Sequence, residues 1–174
     1  RLSGTLVGGM FGARTESTAG LTGAWVVENT RASIFAAMPP KEGFAVSGPH
    51  IKVRLFGGWE YAPDAVNAAD WVKTGYAKGV PMGGDLPPPG AAKAPTFMVW
   101  AVKDPTSGNL DRIQIVKGWT QNGQSFGKVY DVAWGGNDRR PNKFTGVVPP
   151  IGNTVDIEKG TYTNSIGAVE LKQV

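Results

Sequence analysis

The clearest periodic signal in the chain begins at His50. Ile51, Val53 and Leu55 alternate with His50, Lys52 and Arg54, which is the period-two pattern of a half-buried β-strand. Two further strands are predicted over residues 97–103 and 112–119, joined by the turn-forming run Asp104-Pro105-Thr106-Ser107-Gly108-Asn109. Asn122-Gly123 then separates the apolar-rich stretches 113–120 and 126–134. Both central positions of a type I′ turn need positive φ, so this dipeptide predicts a tight hairpin. Weaker strand patterns lie near residues 154–158 and 166–171.

Two short helices interrupt the strand pattern. After the apolar run from Leu21 to Val27, Glu28-Asn29-Thr30 is a helix-start signal with Thr30 as N-cap. Ile34, Phe35 and Met38 share one apolar face, and Pro39-Pro40 must end the helix. A second helix is predicted over residues 67–78, with Asn67 as cap, Asp70 in the first turn, Trp71, Val72 and Tyr76 packing, and Gly79 as the stop. Residues 1–20 are rich in Gly, Ser and Thr without a period, and 81–95 are dense in Pro and Gly, so both are read as loops. The expected fold is mainly β, a β-sandwich of two packed antiparallel sheets with two short helices at the edges.

Composition narrows the functional classes. The chain has 174 residues, enough for one ordinary domain or a domain with a flank from a neighbour. Its 25 Gly and 13 Pro fit a turn-rich globular chain. The net charge is +4, but the basic residues are scattered and only Arg139-Arg140 form a tight pair, so no phosphate-tracking stripe exists and nucleic acid is not an expected partner. The absence of Cys excludes disulfides, thiolate metal sites and a Cys nucleophile. No apolar stretch approaches the ~20 residues of a membrane-spanning helix. The start at Arg1-Leu2-Ser3-Gly4, within a glycine-rich segment and without Met, reads as the start of a fragment.

Several motifs resemble catalytic devices and fail on inspection. The segment from Gly123 to Val129 suggests a phosphate-binding loop, yet it has three residues between its glycines where four are needed. Val129 also stands where a Mg²⁺-binding hydroxyl is required, and the context is a hairpin. His50 is the single histidine, so a zinc centre lacks ligands, and no metal is expected in this chain. Asp85, Asp131 and Asp156 have oxygen ligands to offer, with turn and strand-end roles as the plainer reading. A Ser-His-Asp triad would have to use His50, but no Gly-x-Ser-x-Gly elbow occurs, and Ser47 reads as part of a turn. Six tryptophans remain: Trp25, Trp59, Trp71, Trp100, Trp119 and Trp134. Trp100 lies in a continuous apolar strand and is expected to be buried, whereas Trp59 and Trp134 adjoin glycines at strand ends and suit a surface role.

Longer motifs carry a family resemblance. Glu28-Asn29-Thr30-Arg31, Ser47-Gly48-Pro49, Phe56-Gly57-Gly58-Trp59, Gly79-Val80-Pro81-Met82-Gly83-Gly84-Asp85-Leu86, Leu110-Asp111-Arg112-Ile113-Gln114, Lys117-Gly118-Trp119, Lys128-Val129-Tyr130-Asp131-Val132-Ala133-Trp134 and Gly152-Asn153-Thr154-Val155-Asp156 occur in one order. Together they resemble the C-terminal part of the bacterial domain-of-unknown-function family numbered 3604, over residues 20–167. Three departures stand out: His50 where Arg is expected, Phe44-Ala45-Val46 in place of Tyr-Ala-Thr, and Met38-Pro39-Pro40 interrupting a helix that usually runs on.

The resemblance implies a larger protein related to the polymerase-and-histidinol-phosphatase (PHP) metal-dependent hydrolases. By that likeness, residues 1–48 are the tail of an upstream catalytic-type barrel, and 49–174 are an accessory β-sandwich domain. The divalent metal then belongs to the upstream barrel, this chain has no catalytic residue and no cofactor of its own, and the whole is secreted or periplasmic. The expected partners are that barrel and, through the helix from Thr30 to Met38, a second copy of the chain. The rival readings are a carbohydrate- or partner-binding sandwich and a purely structural brace. His50, Arg54, Trp59, Asp85, Trp119 and Trp134 are the candidate binding residues.

Overall fold

The computed structural model describes residues 20–90, 94–136 and 139–174. The predicted loop over residues 1–20 falls almost wholly outside them. Strand β1 (Gly20–Ala24) arises from the first apolar run and pairs antiparallel with β2 (Gly43–Ser47), from Gly20 opposite Ser47 to Ala24 opposite Gly43. Between them lies helix α1 (Arg31–Ala37). Thr30 caps it as expected, its hydroxyl accepting from the Ser33 N–H at 3.2 Å, and the helix ends just before Met38-Pro39. The indole N–H of Trp25 donates to the Val53 carbonyl at 3.0 Å and ties this N-terminal hairpin to the next strand.

The centre of the molecule is a four-stranded antiparallel sheet in the order β4 (Gly79–Pro81), β3 (Lys52–Gly58), β5 (Thr96–Val102), β8 (Glu170–Gln173). Its two faces are covered differently. Phe56 and Met98, opposite each other in register and fully buried, face a cluster completed by Tyr61 and Val66, with Trp71, Val72 and Trp100 packed against it. Helix α2 (Trp71–Lys78) lies over this face through Gly75. On the opposite face Ala101 and Leu171 meet Leu110 and Ala133, with Val53 and Ile113 packed beside them. Leu110 precedes, and Ile113 and Ala133 lie at the base of, a hairpin formed by β6 (Arg112–Gln121) and β7 (Gln124–Trp134). Among the described residues the fold is mainly antiparallel β and sandwich-like, with two short helices and no closed barrel.

The hairpin turn is of the predicted kind. Asn122 and Gly123 have φ of 53° and 78°, and Gln121 pairs with Gln124. A bulge between Ile113 and Gln114 shifts the register.

Several local expectations change. Asn67 does not cap α2; it closes a separate 3-10 turn over Ala65–Asn67, and Asp70 occupies the N-cap position without a side-chain hydrogen bond. Gly79 does stop the helix, as expected; it is extended and leads straight into β4, where a Cβ would fall 2.1 Å from the Gly57 carbonyl oxygen. Helix α2 covers a sheet face, not an edge, because Gly75 lets its backbone rest on Phe56. Residues 154–158 contribute only the bridge from Asp156 to Thr161, since Val155 and Ile157 are exposed and have no sheet to join. The last strand is shorter and later than the pattern near 166–171.

Candidate functional site

The N-terminal hairpin and the central sheet enclose a cleft of about 440 Å³ between Trp25, α1, Glu42, Arg54 and Tyr76. Its floor follows from the alternation of β3. Lys52, Arg54 and Phe56 share a face, so the strand that buries Phe56 must also carry Arg54 inward along the same side. The arginine is held by aromatic surfaces. Its guanidinium carbon lies 4.5 Å from the centroid of Trp25, 5.5 Å from that of Phe56 and 5.6 Å from that of Tyr76, within the range of cation–π attraction.

A polar chain runs across this aromatic cradle. Arg54 donates to the Tyr76 hydroxyl at 2.9 Å, and Tyr76 donates to a Glu42 carboxylate oxygen at 2.5 Å. Burial, reinforced by the bond to Glu42, pushes the Tyr76 phenol above its usual pKa against the opposing pull of Arg54. It therefore remains a donor at neutral pH. Among the described residues Arg54 forms no ion pair, and its remaining N–H groups are available to an anionic group entering the cleft. The arrangement can bind and orient an anion. Among the described residues that line it there is no Cys, Ser nucleophile–base pair or His.

Arg54 is thus the one sequence-selected residue that the fold places at the centre of a cleft. His50 lies at the entry to β3 with its side chain exposed, while its backbone N–H donates to Asp104 at 2.7 Å. Trp59 and Trp134 are partly buried, and their indole N–H groups donate to the carbonyls of Pro87 at 3.0 Å and Arg139 at 3.2 Å. Both rings therefore anchor loops. Asp85 is exposed on the loop after β4. Trp119 lies far along the hairpin, 39% exposed and stacked on Phe126 at 5.5 Å with an 18° angle between planes. Trp100, expected in the core, is half-buried between Trp25 and Trp71 and donates to Glu170.

The ionisable groups that are strongly held serve the scaffold. Asp104 accepts from the backbone N–H groups of His50 and Thr106 and from the Thr106 hydroxyl, which lowers its pKa to about 2. At the base of the hairpin Arg112 meets Asp111 at 3.1 Å and Asp131 at 3.3 Å, and Arg139 meets Asp111 at 2.6 Å. Burial raises the Asp131 pKa, but the Val148 N–H, the Gln114 amide and Arg112 outweigh it, and the net shift is downward. Both arginines also donate to the Pro149 carbonyl, so this knot fastens the loop carrying the fully buried Val148. Asp131 and Asp156 have structural partners here, the latter binding Lys159 and the N–H of Glu158. Among the described residues no three His, Cys, Asp or Glu side chains gather closely enough to hold a metal ion.

Sequence reasoning missed Trp25, Glu42 and Tyr76 as partners of Arg54. Their signal is indirect: an arginine on the strand face that continues into Phe56 needs aromatic cover and an acceptor. No helix among the described residues is long and apolar enough to cross a membrane. No curated protein and no solved structure matches the chain. The model of the family described as a protein of unknown function, DUF3604, matches residues 4–174, and the chain belongs to that family.

Proposed function

We propose that this chain comprises the tail of an upstream barrel (residues 1–48) and the accessory β-domain (49–174) of a larger PHP-like metal-dependent hydrolase and has no catalytic site of its own. The divalent metal and the reacting groups lie in an upstream barrel of the same secreted or periplasmic protein, acting on phosphate- or sulfate-like esters. The observation that supports this most is the state of α1. None of its residues is buried, Phe35 is 70% exposed and its C-cap Met38 62%, and the neighbouring Val27 is 97% exposed. An apolar face of this kind, on the segment assigned to the barrel tail, is what an element presents to the rest of the body it packs against.

The test compares two proteins. The product of the whole reading frame is expected to contain a Gly-Asp-x-His-x-His-type segment upstream, to carry stoichiometric divalent metal and to hydrolyse ester dyes. This chain alone is expected neither to carry stoichiometric metal nor to hydrolyse the dyes, because one His and scattered carboxylates cannot build an open catalytic site. Metal bound at a one-to-one ratio with turnover by this chain would sink the reading, as would an upstream segment without ligand motifs.

A second reading, a carbohydrate- or partner-binding sandwich, is favoured by the exposed stack of Trp119 on Phe126. Binding of oligosaccharides on a glycan array, lost on Trp119→Ala, would support it over the accessory-domain reading alone.

A further inference from the structure

The β6–β7 hairpin outgrows the body it packs on. Its base is half-buried, but every residue from Val116 to Val129 is exposed. Along this arm the face that begins with Ile113 in the core continues as three cross-strand pairs: Ile115 with Tyr130, Lys117 with Lys128, and Trp119 with Phe126. Two lysines directly opposite one another repel, and among the described residues neither has a carboxylate partner. Each ammonium instead rests on an aromatic neighbour, Lys117 at 5.3 Å from Trp119 and Lys128 at 4.8 Å from Tyr130.

The same face borders an apolar groove of about 700 Å³, whose far wall is Leu55, Pro95 and Phe97. Strand β6 lines it over four consecutive residues, 115–118. The pairing of Gln121 with Gln124 across the two-residue turn fixes which backbone groups of β6 turn inward. Those of Gln121, Trp119, Lys117 and Ile115 bond to β7, leaving the N–H and C=O groups of Thr120, Gly118 and Val116 directed outward. This edge belongs to a two-stranded sheet and is unpaired among the described residues.

We infer that the outer edge of β6 is a docking site for an extended, acidic segment of a partner protein, added as a third strand. Strand addition supplies the missing backbone partners. Side chains at every second position of the added strand then fall in turn beside Trp119, beside the lysine pair and into the groove. The recognised pattern, read antiparallel to β6, is aromatic, acidic and aliphatic at positions i, i+2 and i+4. The charge decides the occupant: a second copy of this arm would bring two more lysines to the same face, whereas a carboxylate relieves the existing repulsion.

The test uses the full chain, labelled with ¹⁵N, and the capped heptapeptide Ser-Phe-Thr-Glu-Thr-Val-Ser. Addition of the peptide is expected to shift the amide signals of Val116, Gly118 and Thr120 and to slow their hydrogen exchange. A peptide with lysine in place of glutamate is expected to leave them unchanged. Gly118→Pro removes one outward N–H without touching the inner ladder and should abolish binding with an unaltered melting temperature. Should that variant unfold, Lys117→Gln with Lys128→Gln serves in its place and should weaken binding about tenfold or more. Equal shifts with both peptides, or none with either, would overturn the proposal. So would an acidic oligosaccharide such as an oligogalacturonate that moves the lysine and aromatic signals while the edge amides stay unprotected, since the arm would then be a glycan platform. The outcome is independent of whether the upstream barrel is a hydrolase.

Discussion

Gly75 in α2 rests directly on the ring of Phe56: a Cβ built at Gly75 would lie 2.6 Å from the Phe56 Cγ and Cδ2 atoms. Its carbonyl also accepts from the Tyr61 hydroxyl at 2.9 Å. Alanine in place of a mid-helix glycine ordinarily stabilises by about 1 kcal/mol. Here the close approach reverses the sign, because Phe56 is fully buried and has no direction in which to yield. Gly75→Ala is expected to destabilise by about 1–3 kcal/mol, the usual cost of overpacking a core. Urea denaturation measures it, and a more stable variant would show that the helix can lift off the sheet without penalty.

Gly123 isolates a different cost. Its φ is 78°, and nothing lies within 4 Å of a Cβ built there. A substitution at this position therefore meets no steric obstacle, only the conformational penalty of positive φ. Gly123→Val should destabilise by about 1 kcal/mol or more, since a β-branched residue pays heavily in that region. An unchanged thermal transition would mean that the arm contributes nothing to the cooperative unit.

Asp104 gives the fold a pH dependence with a defined sign. Its folded pKa of about 2 lies below the ordinary carboxylate value of 3.8, so the group binds fewer protons when folded. The stability it contributes is present above the unfolded value and is lost as pH falls from about 4 towards 2. Asp131 is shifted in the same direction. Asp104→Asn is expected to flatten the decline of melting temperature in that window. If the mutant keeps the full slope, the acid sensitivity belongs to other carboxylates.

Much of this scaffold was legible because the signals were local. The alternation of Ile51, Val53 and Leu55, the positive-φ pair Asn122-Gly123 and the cap at Thr30 each act through neighbours a few residues away. β2 and β4 were not legible: Gly79–Pro81 is a strand only because Phe56, Gly57 and Gly58 of β3 lie beside it. The cleft was legible only at Arg54. Tyr76 reaches it from 22 residues after Arg54, and Glu42, which precedes Arg54, stands 34 residues from Tyr76, and no spacing rule connects three segments that meet only through tertiary packing. The shift of α2 from Asn67 to Asp70 has a similar cause, since Val66 is buried in the Phe56 cluster and the chain turns there before the helix can begin.

The exposed face of α1 carries the last prediction. Ile34, Phe35 and Met38 are 37%, 70% and 62% exposed, and fully burying such side chains is worth about 1.5–3 kcal/mol each. If this face docks on an upstream barrel in the whole protein, it is uncovered in the chain alone, and self-association is the available way to remove it from water. The lone chain is therefore expected to form a dimer through α1, with the weight-average mass in sedimentation equilibrium rising with concentration. Ile34→Glu with Phe35→Glu should hold the protein monomeric at every concentration. Its melting temperature at low concentration should remain that of the wild type, because neither side chain is buried within one copy. A wild type that is monomeric throughout, with a double mutant equally stable and soluble, would show that this face has no partner to lose and would remove the main support for docking through α1.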